Sequence, residues 1–128
     1  LAQHDESGRW RYWHELAQAC ALAVSGEKDR AESALTQTWT DAMRLRLTPN
    51  ERIEAGLALG DFLLRNDRSA DVRAIVDHLA PWLDEDYRVA ALDARLAIAS
   101  GDGEKARTGL DRVRQLARER PLPAGLTP

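Results

Sequence analysis

The chain has 128 residues, a formal net charge of -3 and a pI of about 5.6, and 30% of its residues are charged. A chain of this length can bury one sizeable core, so a single domain is expected. The acidic balance supplies no net positive field for a nucleic-acid backbone, which excludes nucleic acid as an expected partner. Alanine (21) and leucine (18) far outnumber valine (5) and isoleucine (3), and this predicts an all-α fold.

The single cysteine, Cys20, can form neither an internal disulfide nor a thiolate metal site by itself. Apolar runs fall short of the roughly 20 residues that span a bilayer, so we expect no membrane insertion and a cytoplasmic location. The chain begins at Leu1 rather than Met, and arginine supplies 16 of its 18 basic residues. These two features indicate the C-terminal part of a larger bacterial protein.

Helix signals divide the chain into six segments. The first is expected to follow Ser7 and to end at Ser25-Gly26. The second is expected to start near Asp29, as an N-cap, and to run to about Leu47. The apolar residues at helical spacing in the first segment are Trp10, Trp13, Leu16, Ala17, Cys20 and Val24.

The third segment has the clearest start, because Thr48 and Glu51 have capping-box spacing with Pro49 at the first helical position. The fourth begins near Ser69, and Pro81 predicts a kink or a stop at its end.

The fifth segment is expected to start at Asp86, as cap, and to stop at Ser100-Gly101. The sixth runs from about Gly103 to Arg120. The remaining residues, 121–128, contain three prolines and are expected to be an extended tail.

The segments repeat in pairs. Residues 23–31 align with residues 98–106, and in both stretches a glycine stands five positions before an alanine. The turn anchors Gly26, Asp67 and Gly101 are 41 and 34 residues apart. The second spacing equals the length of a two-helix repeat of about 34 residues.

In this frame the chain resembles the tetratricopeptide repeat family. Three sets of residues carry the resemblance: small residues late in the first helix of each pair, the turn glycine with its acid, and small residues that open the second helix. They are Ala19, Gly60 and Ala94; Gly26-Glu27 and Gly101-Asp102; and Ala31 and Ala106. The resemblance implies a right-handed solenoid of about six helices. The expected parts are a flexible lead-in at 1–7, a repeat domain at 8–120 (8–47, 48–85 and 86–120) and the tail at 121–128.

Members of that family commonly bind a peptide or protein segment on the face formed by the first helices. Carried over, the frame places six partner-binding residues there: Trp13, Glu54, Asp61, Arg65, Arg88 and Arg95. One interpretation is a mixed-charge groove whose arginines bind an acidic segment through bidentate contacts. The other is that the acidic stripe of one helix pairs with the basic stripe of the next.

The aromatic residues at the start of the first segment cannot all face one core. Trp10 and Tyr12 are therefore candidate interface residues, and packing against the tail or a neighbouring repeat is the alternative.

Catalytic and cofactor sites are not expected. The glycines around Gly101 imitate a dinucleotide motif, but a helix precedes them where that motif needs a strand. His14 and Cys20 fall on different helix faces, so no metal site is expected either. The sequence therefore predicts a non-catalytic interaction or regulatory module that binds a protein or peptide. A homodimerisation module and a small-ligand sensor are the alternatives.

Overall fold

A computed structural model describes residues 2–45 and 47–117 of the chain. Within those ranges it contains six α-helices, one 3-10 turn and no β-strand, which confirms the all-α prediction. The helices are α1 (Ala2–Val24), α2 (Lys28–Arg44), α3 (Pro49–Arg65), α4 (Ser69–Leu79), α5 (Tyr87–Ala99) and α6 (Gly103–Leu116), and the 3-10 turn is Ala80–Trp82.

The chain divides into two compact units, Leu1–Phe62 and Leu63–Pro128. In the first unit, α1 and α2 form an antiparallel hairpin. In the second, α5 and α6 form another, and α4 packs against α5.

Three helix ends share one hydrogen-bonding pattern. In each, the residue with positive φ donates its N–H to the carbonyl three residues back, and the next residue donates to the carbonyl five residues back, which is the Schellman arrangement. Gly26 donates to Ala23 and Glu27 to Leu22 at the first turn. Asp67 donates to Leu64 and Arg68 to Leu63 at the second, and Gly101 donates to Ile98 and Asp102 to Ala97 at the third.

The three positive-φ residues are the turn anchors that the sequence spacing identified. Gly26 has φ of 85°, Gly101 of 74° and Asp67 of 58°. An aspartate tolerates this left-handed conformation better than most side chains do. Asp67 therefore takes the place of the turn glycine in the middle of the chain.

The predicted helix starts are largely confirmed. The Thr48 hydroxyl accepts a hydrogen bond from the Glu51 N–H at 3.3 Å, and the Glu51 carboxylate accepts one from the Thr48 N–H at 3.3 Å. This reciprocal pair is the capping box that the spacing predicted. The Asp86 carboxylate accepts from the Arg88 N–H at 2.9 Å, so Asp86 caps α5 as expected. Asp102 caps α6 by accepting from the Lys105 N–H.

Several helix boundaries differ from expectation. The helix α1 begins at Ala2 rather than after Ser7, because residues 2–7 contain no proline or β-branched residue to oppose a helix. The helix α2 begins at Lys28, so Asp29 lies in its first turn instead of capping it. The helix α6 ends at Leu116, with Ala117 as its C-cap, before the expected end at Arg120. The predicted tail at 121–128 lies outside the described residues.

The α5/α6 hairpin is held by close approach of its helices. A Cβ added to Gly109 would stand 3.0 Å from the Ala94 Cβ and 3.2 Å from its Cα, so glycine allows this contact. Ala90, Ala91, Ala94 and Val113 form the buried cluster, with partly buried leucines around it. The alanines that dominate the composition thus serve helix packing.

Candidate protein-binding surface

The helix α1 carries an apolar face that is exposed among the residues that the structure describes. Trp10 is 71% exposed, Trp13 42% and Val24 89%. Ala17 and Ala21 are exposed between them. These five residues recur at spacings of three and four, so they form one continuous stripe along the helix. We call them the α1 outer face.

The opposite face of α1 is buried. Tyr12, Leu16 and Ala19 are 4%, 7% and 0% exposed. The Tyr12 hydroxyl donates a hydrogen bond to the backbone carbonyl of Glu51, in the first turn of α3. This face therefore fixes the orientation of α1 within the first unit and directs the outer face towards solvent.

Tyr12, a candidate interface residue by sequence, belongs to the core instead. Burial raises the pKa of its phenol well above the ordinary value, and the nearby carboxylates of Glu51 and Glu54 raise it further. The phenol is therefore neutral and acts as a hydrogen-bond donor. In the sequence, helical spacing fits a buried face and an exposed face of the same helix equally well, so it did not decide whether Tyr12 lies in the core or at an interface.

The exposed aromatic rings are ordered by contacts along α1. Trp10 stacks on His14, with ring centroids 5.5 Å apart and planes 23° apart. Trp13 meets Tyr12 edge to face at 5.1 Å. Trp10, Trp13 and His14 line a small open cavity of about 280 Å³. Aromatic side chains positioned in this way can anchor an apolar group of a partner.

The helix α5 shows how two corresponding positions are packed in the second unit. Gly26 and Gly101 occupy the same place in their turns, 75 residues apart, so Ala17 and Ala21 correspond to Leu92 and Leu96. Both leucines are 2% exposed. The helix α4 packs on α5 in that unit, and α6 packs on the alanine side of α5. Two of the five positions of the α1 outer face thus correspond to buried positions of α5, whereas Trp13 corresponds to the half-buried Arg88 and Val24 to the exposed Ala99.

The charged residues predicted to bind a partner fall into both units. In the first, Glu54 and Asp61 are half-buried, and together with burial they raise the pKa of the Cys20 thiol. Burial is the main cause of that shift. A raised pKa keeps the thiol protonated and weakly nucleophilic.

In the second unit, Arg88 is already engaged by its neighbour. Its guanidinium donates to both carboxylate oxygens of Asp86, Nε at 3.1 Å and Nη2 at 2.8 Å. These bonds, ahead of the backbone N–H contacts, hold the pKa of Asp86 below its ordinary value. Arg65 is exposed and Arg95 half-buried. Joint binding of an acidic segment by Arg65, Arg88 and Arg95 stays a prediction.

Several residues of the α1 outer face were not expected there. Ala17 and Val24 belong to the apolar set predicted for the first segment, but Leu16 is the buried member of that set. The sequence signal that could have identified the buried face is a second apolar series, Tyr12, Leu16 and Ala19, which also has spacings of three and four.

Two further features bear on the kind of site. Over residues 2–45 and 47–117, three or more His, Cys, Asp or Glu side chains do not gather in an arrangement that could hold a metal ion. In the same ranges, each helix is too short or too polar to cross a membrane.

The structure thus defines an all-α chain with helical hairpins, Schellman turns and an uncovered apolar helix face. No protein-family model, curated protein or solved structure matches the chain. The resemblance to tetratricopeptide repeats rests on the residues given above.

Proposed function

We propose that the chain is a non-catalytic protein-interaction module of the tetratricopeptide type, and that the α1 outer face binds an amphipathic helix of a partner protein. The observation that carries the proposal is the exposure of Trp10 and Trp13 on a helix whose opposite face is buried. Tryptophan is enriched among the residues that dominate binding energies at protein interfaces.

The choice of a helix as the bound segment follows from α5. Its equivalent positions Leu92 and Leu96 are buried in a unit where helices pack on both of its sides. Ala17 and Ala21 are small and exposed between the tryptophans and Val24. Small residues beside large ones favour ridges-into-grooves packing of a second helix. A partner helix with apolar residues at spacings of three and four fits this surface.

Selection from a displayed library of amphipathic helical peptides tests the proposal. Peptides that bind the wild type are expected to lose at least roughly 30-fold in affinity for the variant Trp10→Ser/Trp13→Ser, about 2 kcal/mol for hot-spot removal. The variant Ile98→Ser removes another exposed apolar side chain, 47% exposed, from outside this face. It is expected to bind within twofold of the wild type.

Two results would contradict this function. One is that the selected peptides bind the double variant as tightly as the wild type. The other is that the wild type is a dimer in sedimentation experiments and becomes a monomer on Trp10→Ser/Trp13→Ser substitution. The second result would assign the α1 outer face to a second copy of the chain, which is the homodimerisation alternative.

A further inference from the structure

The second unit contains an open groove between α4 and α6, with α5 beneath it. Its volume is about 560 Å³, which lies within the range of small-molecule sites. The groove is independent of the α1 outer face, since all of its residues belong to the second unit. Four of its side chains are basic (Arg73, Lys105, Arg107 and Arg112) and two are acidic (Asp93 and Glu104).

One of the four cations is engaged by acids of the chain. Arg112 Nε lies 3.0 Å from an oxygen of Asp84, and its Nη1 lies 3.8 Å from one of Asp93. These contacts position Arg112 at the groove wall and neutralise much of the charge of Asp93. The groove therefore retains an excess of positive charge on its other basic residues.

The other three cations make no such contact. Arg73, Lys105 and Arg107 are exposed, and among the described residues no carboxylate lies within 4.0 Å of their charged groups. Three like charges on one concave surface repel one another, and an anion bound between them would remove that repulsion.

The floor and wall of the groove allow a ligand to approach closely. Ala97 and Gly109 are small, and Gly109 is buried against Ala94 of α5, so this part of the groove surface carries no long side chain. The hydroxyl of Thr108 is exposed beside them and can donate a hydrogen bond. The site thus offers charged donors from two helices around a small-residue floor.

We propose that this groove binds a small phosphate-bearing polyanion through Arg73, Lys105 and Arg107. Arginine forms forked hydrogen bonds with phosphate oxygens, and lysine supplies a compact point charge. The donors come from two helices, Arg73 from α4 and the other two from α6. Tetrahedral phosphate groups present oxygens in several directions, whereas a carboxylate presents two in one plane.

Calorimetric titration with inorganic tripolyphosphate, at matched ionic strength, measures this binding. The wild type is expected to bind saturably, with an affinity that falls as salt is raised. The variant Arg73→Gln/Arg107→Gln is expected to lose at least tenfold. The variant Arg44→Gln/Arg114→Gln has the same net charge but removes arginines paired with Asp41 and Asp111 outside the groove, and it should stay within twofold.

Amide chemical shifts during the same titration locate the ligand, and those of α6 residues 105–108 are expected to move most. Absence of saturable binding would overturn the proposal, as would equal losses in the two double variants, which would indicate attraction by net charge alone. Tighter binding of tricarballylate, a tricarboxylate, than of tripolyphosphate would overturn the assignment to phosphate. The groove variant and the probed residues 105–108 belong to the second unit and leave Trp10 and Trp13 unchanged, so this test can fail without the peptide-binding test failing.

Discussion

Replacement of Tyr12 by phenylalanine removes one hydroxyl from the core of the first unit. The side chain is 4% exposed, and its hydroxyl donates to the Glu51 carbonyl. Phenylalanine fills the same space, so the loss is that of a buried hydrogen bond, about 1 kcal/mol. At pH 8 we therefore expect Tyr12→Phe to be less stable than the wild type by about that amount.

The stability difference between the wild type and Tyr12→Phe should change sign at alkaline pH. Burial and the carboxylates of Glu51 and Glu54 raise the pKa of Tyr12 above its ordinary 10.0 in the folded chain. A raised pKa contributes stability that is complete below the ordinary value and is lost as pH rises towards the folded one. At pH 11, ionisation in the unfolded state alone costs the wild type about 1.4 kcal/mol. Phenylalanine pays no such cost, so the two stabilities should cross at about pH 10.6.

Urea unfolding followed by far-ultraviolet circular dichroism, between pH 8 and 11, measures both effects. Tyr87 is the other tyrosine of the chain, so the comparison is repeated in a Tyr87→Phe background to remove its contribution. Ionisation of lysines and arginines is common to both proteins and cancels in the difference. A stability difference that stays constant from pH 8 to pH 11 would refute the placement of a neutral Tyr12 phenol in the core.

Two further substitutions test the turns and caps. Gly101→Ala should lower the free energy of unfolding by about 1 kcal/mol, because Gly101 has a φ of 74° and the space around it is open, so the cost is backbone strain. Gly103→Ala should not destabilise the chain, because Gly103 is equally open, lies at the start of α6 and has no positive φ. Equal urea midpoints for the two variants would contradict this. Asp86→Ala should cost about 1–2 kcal/mol at pH 7 through loss of the α5 cap. Hydrogen bonds with Arg88 lower the pKa of Asp86 below 3.8 in the folded chain, so the stability that Asp86 contributes is present above pH 3.8 and is lost as pH falls through the folded pKa. In thermal unfolding from pH 7 to 2, the stability difference between the wild type and Asp86→Ala should therefore disappear.

Turns and caps were predictable because their signals are local. A glycine or aspartate at a left-handed position and a threonine three residues before a glutamate act within one or two helical turns. Gly26, Asp67 and Gly101 were therefore identified from spacing alone, and the structure gives all three the same hydrogen-bonding pattern. The start of α1 was missed because residues 2–7 contain no strong signal for or against a helix.

The groove of the second unit had no such local signal. Arg73 and Lys105 are 32 residues apart, on helices that become neighbours of one groove only after α4 and α6 have packed with α5. Which cations remain without an acid within 4 Å also depends on that packing. Arg107 and Arg112 are both arginines of α6, and nothing in the sequence distinguishes them, yet Arg112 forms ion pairs with Asp84 and Asp93.

The α1 outer face lies between these cases, since its residues were visible in the sequence but their surroundings were not. A helix side that faces water throughout its function is normally polar. In α1, the outer positions 10, 13, 17, 21 and 24 are all apolar, although the intervening surface of the same helix carries Arg11 and Gln18. Exposure of this stripe costs solubility without adding to the packing of the first unit, because Tyr12, Leu16 and Ala19 already supply it. This balance supports the proposal that a helix of another protein covers the α1 outer face in the bound state.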